Sequence, residues 1–278
     1  MKLEAFVPFI TYPEANAEAF AAHAVSMAAS IDAKIHAVAI NADIPNVSNT
    51  LTKWLLDAPA LIRQAEAASR QRGENLLTTL KEKAVAAGVQ TATEAIAAPL
   101  ATLGEAAAAR ARYFDLSLVG WEAGNATSRM TAEAVVFGSG RPTILLPELF
   151  EISSFEHVAI AWDGSRVAAR AVADARLFLQ RASKLSVITV LDEKPLEEED
   201  AGERLAGVLA ARGLQAEAVP VKAQDCPIAE TLQQTAIEKG AQLLVMGGYG
   251  HSRIRDFVLG GATEGILSDL LMPVLLSH

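Results

Sequence analysis

Three glycines at fixed spacing, Gly247, Gly250 and Gly260, sit in the stretch LLVMGGYGHSRIRDFVLGGATEGIL at residues 243–267. Leu243 to Met246 form a short apolar run, which reads as a buried parallel strand. Gly247 and Gly250 break it. A polar, basic segment with His251, Ser252, Arg253 and Arg255 leads to Gly260 and Gly261, and from Thr263 to Leu271 the apolar residues Ile266, Leu267 and Leu270 recur at helical spacing. The pattern is strand, glycine loop, helix. Glycines let such a turn take positive φ and let a ligand approach bare N–H groups, while the helix start adds partial positive charge. The chemistry this suits is phosphate binding. Arg253 and Arg255 lie inside the spacer, where a guanidinium pairs with phosphate or simply stays solvated.

A second stretch, AWDGSRVAARAV, places Asp163, Gly164 and Ser165 between a strand and a helix. Asp163 there is either an acceptor for a ligand or, with Ser165, part of a helix N-cap. No metal-ligand spacing joins the five histidines, and neither a P-loop nor a G-x-S-x-G nucleophile elbow occurs. The single cysteine, Cys226, rules out an internal disulfide framework.

Those turns need scaffolding, and the 278 residues supply it. With 51% hydrophobic and 21% charged residues, the chain is an ordinary globular one long enough for about two domains. A net charge of -9 without a basic run argues against nucleic acid or an anionic membrane as partner. No apolar stretch reaches the length of a membrane span and no signal peptide is evident, so a cytoplasmic location is expected.

Hydrophobic periodicity predicts strands at 3–10, 34–40, 89–97, 116–120 and 143–146, with helices at 14–30 and 100–112 and two more between Pro45 and Gly88. The order then restarts: strands at 157–162, 184–190 and 214–221, helices at 166–181 and 196–212. Short strings repeat as well. PLATLGEAAAARARYFDLSLVG from Pro99 lines up with PIAETLQQTAIEKGAQLLVMG from Pro227, and RPTILLPE from Arg141 with MPVLLSH from Met272. This is an internal duplication with a period too long for a solenoid. The expected fold is α/β: two tandem flavodoxin-like (Rossmann-like) domains, 1–150 and 151–278, each a five-stranded sheet with helices on both faces. In such sheets ligands sit at the carboxyl ends of the strands, where the glycine loop falls.

The spacing G-x2-G-x9-G of Gly247, Gly250 and Gly260, with Asp163 at the end of the first strand of the second half, resembles the universal stress protein family in its tandem form. The resemblance covers the whole chain in architecture and only the second half in motif. It implies a stress-response regulator holding ATP, with or without Mg2+, through Asp163 and the backbone of Val190 on the adenine side and Gly247, Gly250, Gly260 and Gly261 around the phosphates. Gly261 stands where the family usually offers a Ser or Thr hydroxyl, and Thr263 is a candidate to replace it. The resemblance also implies that the fifth strands of the two halves pair within the chain as a pseudo-dimer; homodimer formation is left open. The first half lacks the motif, with Thr11 near the end of its first strand and Trp121 and Glu122 after its fourth, so a single nucleotide site per chain is expected. Two other readings stay open: a tandem stress protein acting through a protein or another small ligand, and a slow ATPase.

Overall fold

The computed structural model describes residues 2–45, 58–150, 155–193, 196, 198–248 and 261–278. The chain divides into two compact units, Met1–Ser139 and Gly140–His278.

The first unit runs β1 (Glu4–Ile10), α1 (Glu18–Ser30), β2 (Lys34–Asp43), α2 (Ala58–Ala87), β3 (Thr91–Pro99), a 3-10 turn (Leu100–Thr102), α3 (Leu103–Ala111), β4 (Leu116–Trp121) and α4 (Ala126–Gly138). Its strands lie in the order β3-β2-β1-β4 and pair in parallel. β1 and β4 are apolar along almost their whole length because helices cover both faces of the sheet. The second unit contains β5 (Thr143–Pro147), β6 (His157–Ala161), α5 (Arg166–Asp174), α6 (Arg176–Arg181), β7 (Lys184–Val190), α7 (Ala201–Ala211), β8 (Ala216–Val221), α8 (Ile228–Glu238), β9 (Leu243–Gly247), α9 (Gly261–Ser268) and β10 (Val274–Ser277). Here the order is β5-β10-β9-β6-β7-β8. β10 is parallel to β9 and antiparallel to β5, with Leu275 opposite Ile144. That antiparallel pair gathers β5 with the second unit.

The alternation of strands and helices is as the sequence predicts, with three local differences. Between 58 and 87 the chain forms one continuous helix of 30 residues, where the sequence predicts two helices up to Gly88. Gly73, the weakest helix former in its middle, is instead a contact point: a Cβ there would lie 2.6 Å from Asn41 Oδ1. The expected helix 166–181 breaks at Ala175, whose ψ of 1° ends α5 and starts α6. Finally, α4 has no counterpart among the predicted helices. Its start is set by Asn125, whose Oδ1 accepts from the Ser128 N–H at 2.9 Å, an N-cap hidden in a run of small polar residues.

Two glycines set close approaches of helices in the second unit. A Cβ on Gly247 would lie 2.6 Å from the Val167 carbonyl carbon and 2.7 Å from the Ala168 nitrogen, so the first turn of α5 rests on the end of β9, backbone against backbone. Within α9, a Cβ on Gly265 would meet Ala229 Cβ at 2.4 Å, which seats α9 on α8. Gly261 is different. Among the described residues, a Cβ there would meet only Ile228 Cγ2, at 3.8 Å, an ordinary contact.

At the opposite end of β6, His157 is buried, with Nε2 2.9 Å from Ser186 Oγ, and Ser186 donates to Glu217 Oε1 at 3.1 Å. Burial pushes the His157 imidazole below its ordinary value of 6.5, and the Lys184 ammonium adds to this. A hydrogen bond from Lys184 holds the Glu217 carboxyl below 4.5.

Two expectations follow. Gly247→Ala is expected to lower stability by about 1–3 kcal/mol through overpacking against backbone that cannot step aside, whereas Gly261→Ala, at a helical position with only an ordinary contact among the described residues, is expected to be neutral or stabilising by up to about 1 kcal/mol; paired thermal melts check the contrast. Folding keeps His157 neutral, so between its lowered folded value and 6.5 the unfolded chain binds the extra proton and stability rises with pH. Glu217 contributes in the same direction only below 4.5. Urea midpoints are therefore expected to fall on going from about pH 7.5 to about pH 5.5, and to fall less in His157→Gln.

Candidate functional site

The carboxyl ends of β9, β6 and β7 are neighbours in the second unit, because β6 pairs with β9 on one side and β7 on the other. This brings together Gly247 at the end of β9, Asp163 just beyond β6 and Val190 at the end of β7. Gly261 and Thr263 enter on α9, where Thr263 is buried. Gly250, Arg253 and Gly260 lie outside the described residues, as do His251 and Arg255.

The turn after β6 is built in two steps. Asp163 Oδ1 accepts the Ser165 N–H at 3.0 Å, an Asx turn that Gly164 completes with φ of +76°. Ser165 Oγ then accepts the Ala168 N–H at 3.2 Å and is the N-cap of α5. Capping thus belongs to Ser165, and Asp163 shapes the approach to it while remaining half-buried. Val190 is buried, and the chain leaves β7 with the Leu191 N–H donating to the Val221 carbonyl at 2.9 Å. Just beyond, the Asp192 carboxylate accepts N–H bonds from Ala223 at 2.7 Å and Gln224 at 3.1 Å, which hold its carboxyl below the usual range.

Gly248 is held from both sides by the end of β10. Its N–H donates to the Ser277 carbonyl at 2.7 Å, and its carbonyl accepts from His278 Nδ1 at 2.9 Å. The Gly248 N–H is therefore already used within the strand ends.

A cavity of 310 Å³ opens beside Asp163. One wall is the turn itself, Trp162, Asp163 and Gly164. The other is a single face of α7 with Ala201, Arg204, Leu205 and Val208, spaced i, i+3, i+4 and i+7, and Glu198 ahead of the helix. Arg204 Nη1 pairs with Glu198 Oε2 at 2.7 Å. Trp162 Nε1 is buried and meets no hydrogen-bond partner among the described residues. The α7 residues are not singled out by the sequence reading, although their helical spacing is there to be read. Trp162 gives no signal beyond standing next to Asp163.

The first unit treats the same strand ends differently. Thr11 is fully buried, its hydroxyl 2.6 Å from Ser69 Oγ on α2 and 3.1 Å and 3.2 Å from the acceptors Ile40 O and Asn41 Oδ1. Arg72, also on α2, donates to the carbonyls of Thr11 at 3.2 Å and Pro13 at 3.0 Å. Glu122, just past β4, accepts the Ala17 N–H at 2.7 Å and Asn125 Nδ2 at 3.0 Å. Ala17 is the N-cap position of α1, so a carboxylate of the chain itself sits at that helix start.

No curated protein matches the chain. Residues 154–278 match the family model described as the universal stress protein family. Among solved structures, a universal stress protein from Archaeoglobus fulgidus DSM 4304 is 17% identical and superposes with a TM-score of 0.72, over 98% of this chain and 95% of that one. One described as a putative universal stress protein from Pseudomonas aeruginosa UCBPP-PA14 is 16% identical at a TM-score of 0.56, over 99% and 93%. A universal stress protein in complex with cAMP matches 45% of this chain and 99% of its own, at 22% identity and a TM-score of 0.36. Among the described residues no helix is long and apolar enough to cross a membrane. The second half of the chain, residues 154–278, thus matches the universal stress protein family, and the fold of the whole chain is that of solved universal stress proteins.

Proposed function

We propose that the chain is a stress-response regulator that binds an adenine nucleotide, ATP in the first instance, at the carboxyl ends of β9, β6 and β7, with a single site per chain in the second domain. The observation that carries this reading is the cavity beside Asp163, set against a turn of fixed geometry and next to the strand that leads into the glycine loop. Asp163 and the Val190 backbone serve the base side. Gly250, Gly260, Gly261, Arg253 and Thr263 serve the phosphates, with Mg2+ as the natural counter-ion of a triphosphate. In the first domain, Ser69 and Arg72 cover the strand ends and Glu122 occupies a helix start with negative charge, so a phosphate would meet repulsion there. The role in this reading is binding rather than catalysis, with slow ATP hydrolysis as the alternative.

Calorimetric titration of nucleotide-stripped protein with ATP, with and without Mg2+, is expected to give one site per chain at about micromolar affinity. Asp163→Ala is expected to weaken it about tenfold or more, the loss of one hydrogen bond to a charged group. Two equivalent sites, or a heat unaffected by Asp163→Ala, would contradict the assignment.

A further inference from the structure

The sheet of the first unit ends at β3, and among the described residues no strand pairs with its outer side. An open edge offers a row of unpaired N–H and C=O groups to any extended chain, and folds blunt such edges with short strands, lysines, prolines or bulges. β8, at the edge of the second unit, is blunted. It has six residues, and the Gln215 and Val221 carbonyls accept the N–H groups of Leu185 and Leu191, so its odd-numbered residues face β7 and its even-numbered ones face outward. Pro220 stands at one of those outward positions and has no N–H to offer.

β3 has none of these devices before its last residue. Its nine residues pair with β2 without a bulge, from Thr91 opposite Ile35 to Pro99 opposite Asp43, an edge of about 30 Å. The Gln90 carbonyl accepts the Ile35 N–H at 2.9 Å. That bond turns the even-numbered residues of β3 toward β2 and leaves the N–H and C=O groups of Thr91, Thr93, Ala95 and Ala97 pointing outward. Pro99, the first outward position without an N–H, closes the row. Ala92, Ala95 and Ala97 are small and exposed, so a second backbone can come close. The strand's one charge, Glu94, is held by Arg110 Nη1 at 2.8 Å and 3.0 Å.

We infer that β3 is a dimer interface, in which two copies of this chain pair their β3 strands antiparallel across a two-fold axis at Ala95. The outward groups select both partner and register. An axis at Ala95 sets Thr91 opposite Pro99, Thr93 opposite Ala97 and Ala95 opposite its own copy, so every outward N–H meets an outward carbonyl. Glu94 then lies opposite an isoleucine, Ile96. An axis one residue earlier would set two Glu94 carboxylates directly against each other. A strand whose outward groups complement themselves under two-fold rotation fits its own copy.

Sedimentation of the full chain between about 1 and 100 μM reads the association directly, and the wild type is expected to dimerise within that range. Ala95→Pro removes an outward N–H and no bond to β2, and is expected to weaken dimerisation about 100-fold. Ala95→Lys and Ala95→Glu, at an exposed position, each set like charges opposite one another and are expected to weaken it about tenfold or more, while an equimolar mixture of the two regains the wild-type dimer. Thermal melts check that each variant folds, and the Lys and Glu pair carries the test if the proline variant does not. A wild type that stays monomeric to about 100 μM would overturn the inference and leave β3 to an extended segment of another protein. A dimer that survives all three substitutions, or a mixture of the Lys and Glu variants that stays monomeric, would overturn it as well. None of these outcomes bears on nucleotide binding, which titration reads separately.

Discussion

The second unit is organised by one close approach, the first turn of α5 resting on the end of β9 with no room for a single extra carbon at Gly247. Backbone pressed against backbone allows no side-chain rearrangement to absorb a change. The rest of the site follows from it. With α5 fixed, Ser165 must cap it, Asp163 must turn the chain into that cap, and Trp162 must leave β6 facing α7 across the cavity. On the other side, Gly248 is bonded to Ser277 and His278, which ties the exit from β9 to β10.

The first unit has a looser version of this contact, made by a side chain. Gly120 stands under α1, where a Cβ would lie 2.8 Å from the Phe20 ring. The strand end is again glycine because a helix crosses it closely. What differs is the space beyond. α2 brings Ser69, Arg72 and the bare backbone of Gly73 down onto Thr11 and Asn41, so protein groups pack against the strand ends here.

Periodicity made the strands legible. Lys184–Val190 and the starts of β2, β4, β5 and β6 fall where the apolar runs place them, because buried parallel strands are nearly continuous hydrophobic stretches. Helix ends were harder. The break at Ala175 has no Gly or Pro to announce it, and α4 begins in a Ser/Thr-rich stretch that reads as loop until Asn125 is seen capping it. The site was legible in part. Asp163 and the glycines announce themselves by residue type, but the helix face opposite Asp163 depends on how α7 is rotated, and the role of Glu122 depends on a bond to Ala17, 105 residues earlier. Gly261, singled out for the hydroxyl it lacks, has only an ordinary contact with Ile228 among the described residues.

The carboxylate of Glu122 at the start of α1 differs from any dissolved anion in one respect. Being part of the chain, it is present at an effective concentration set by geometry alone, unaffected by what the solution contains. The helix start in the first unit is therefore permanently satisfied, a constant load on that half of the molecule. An anion at the glycine loop of the second unit would instead arrive from solution and leave into it, so occupancy there would track solute concentration.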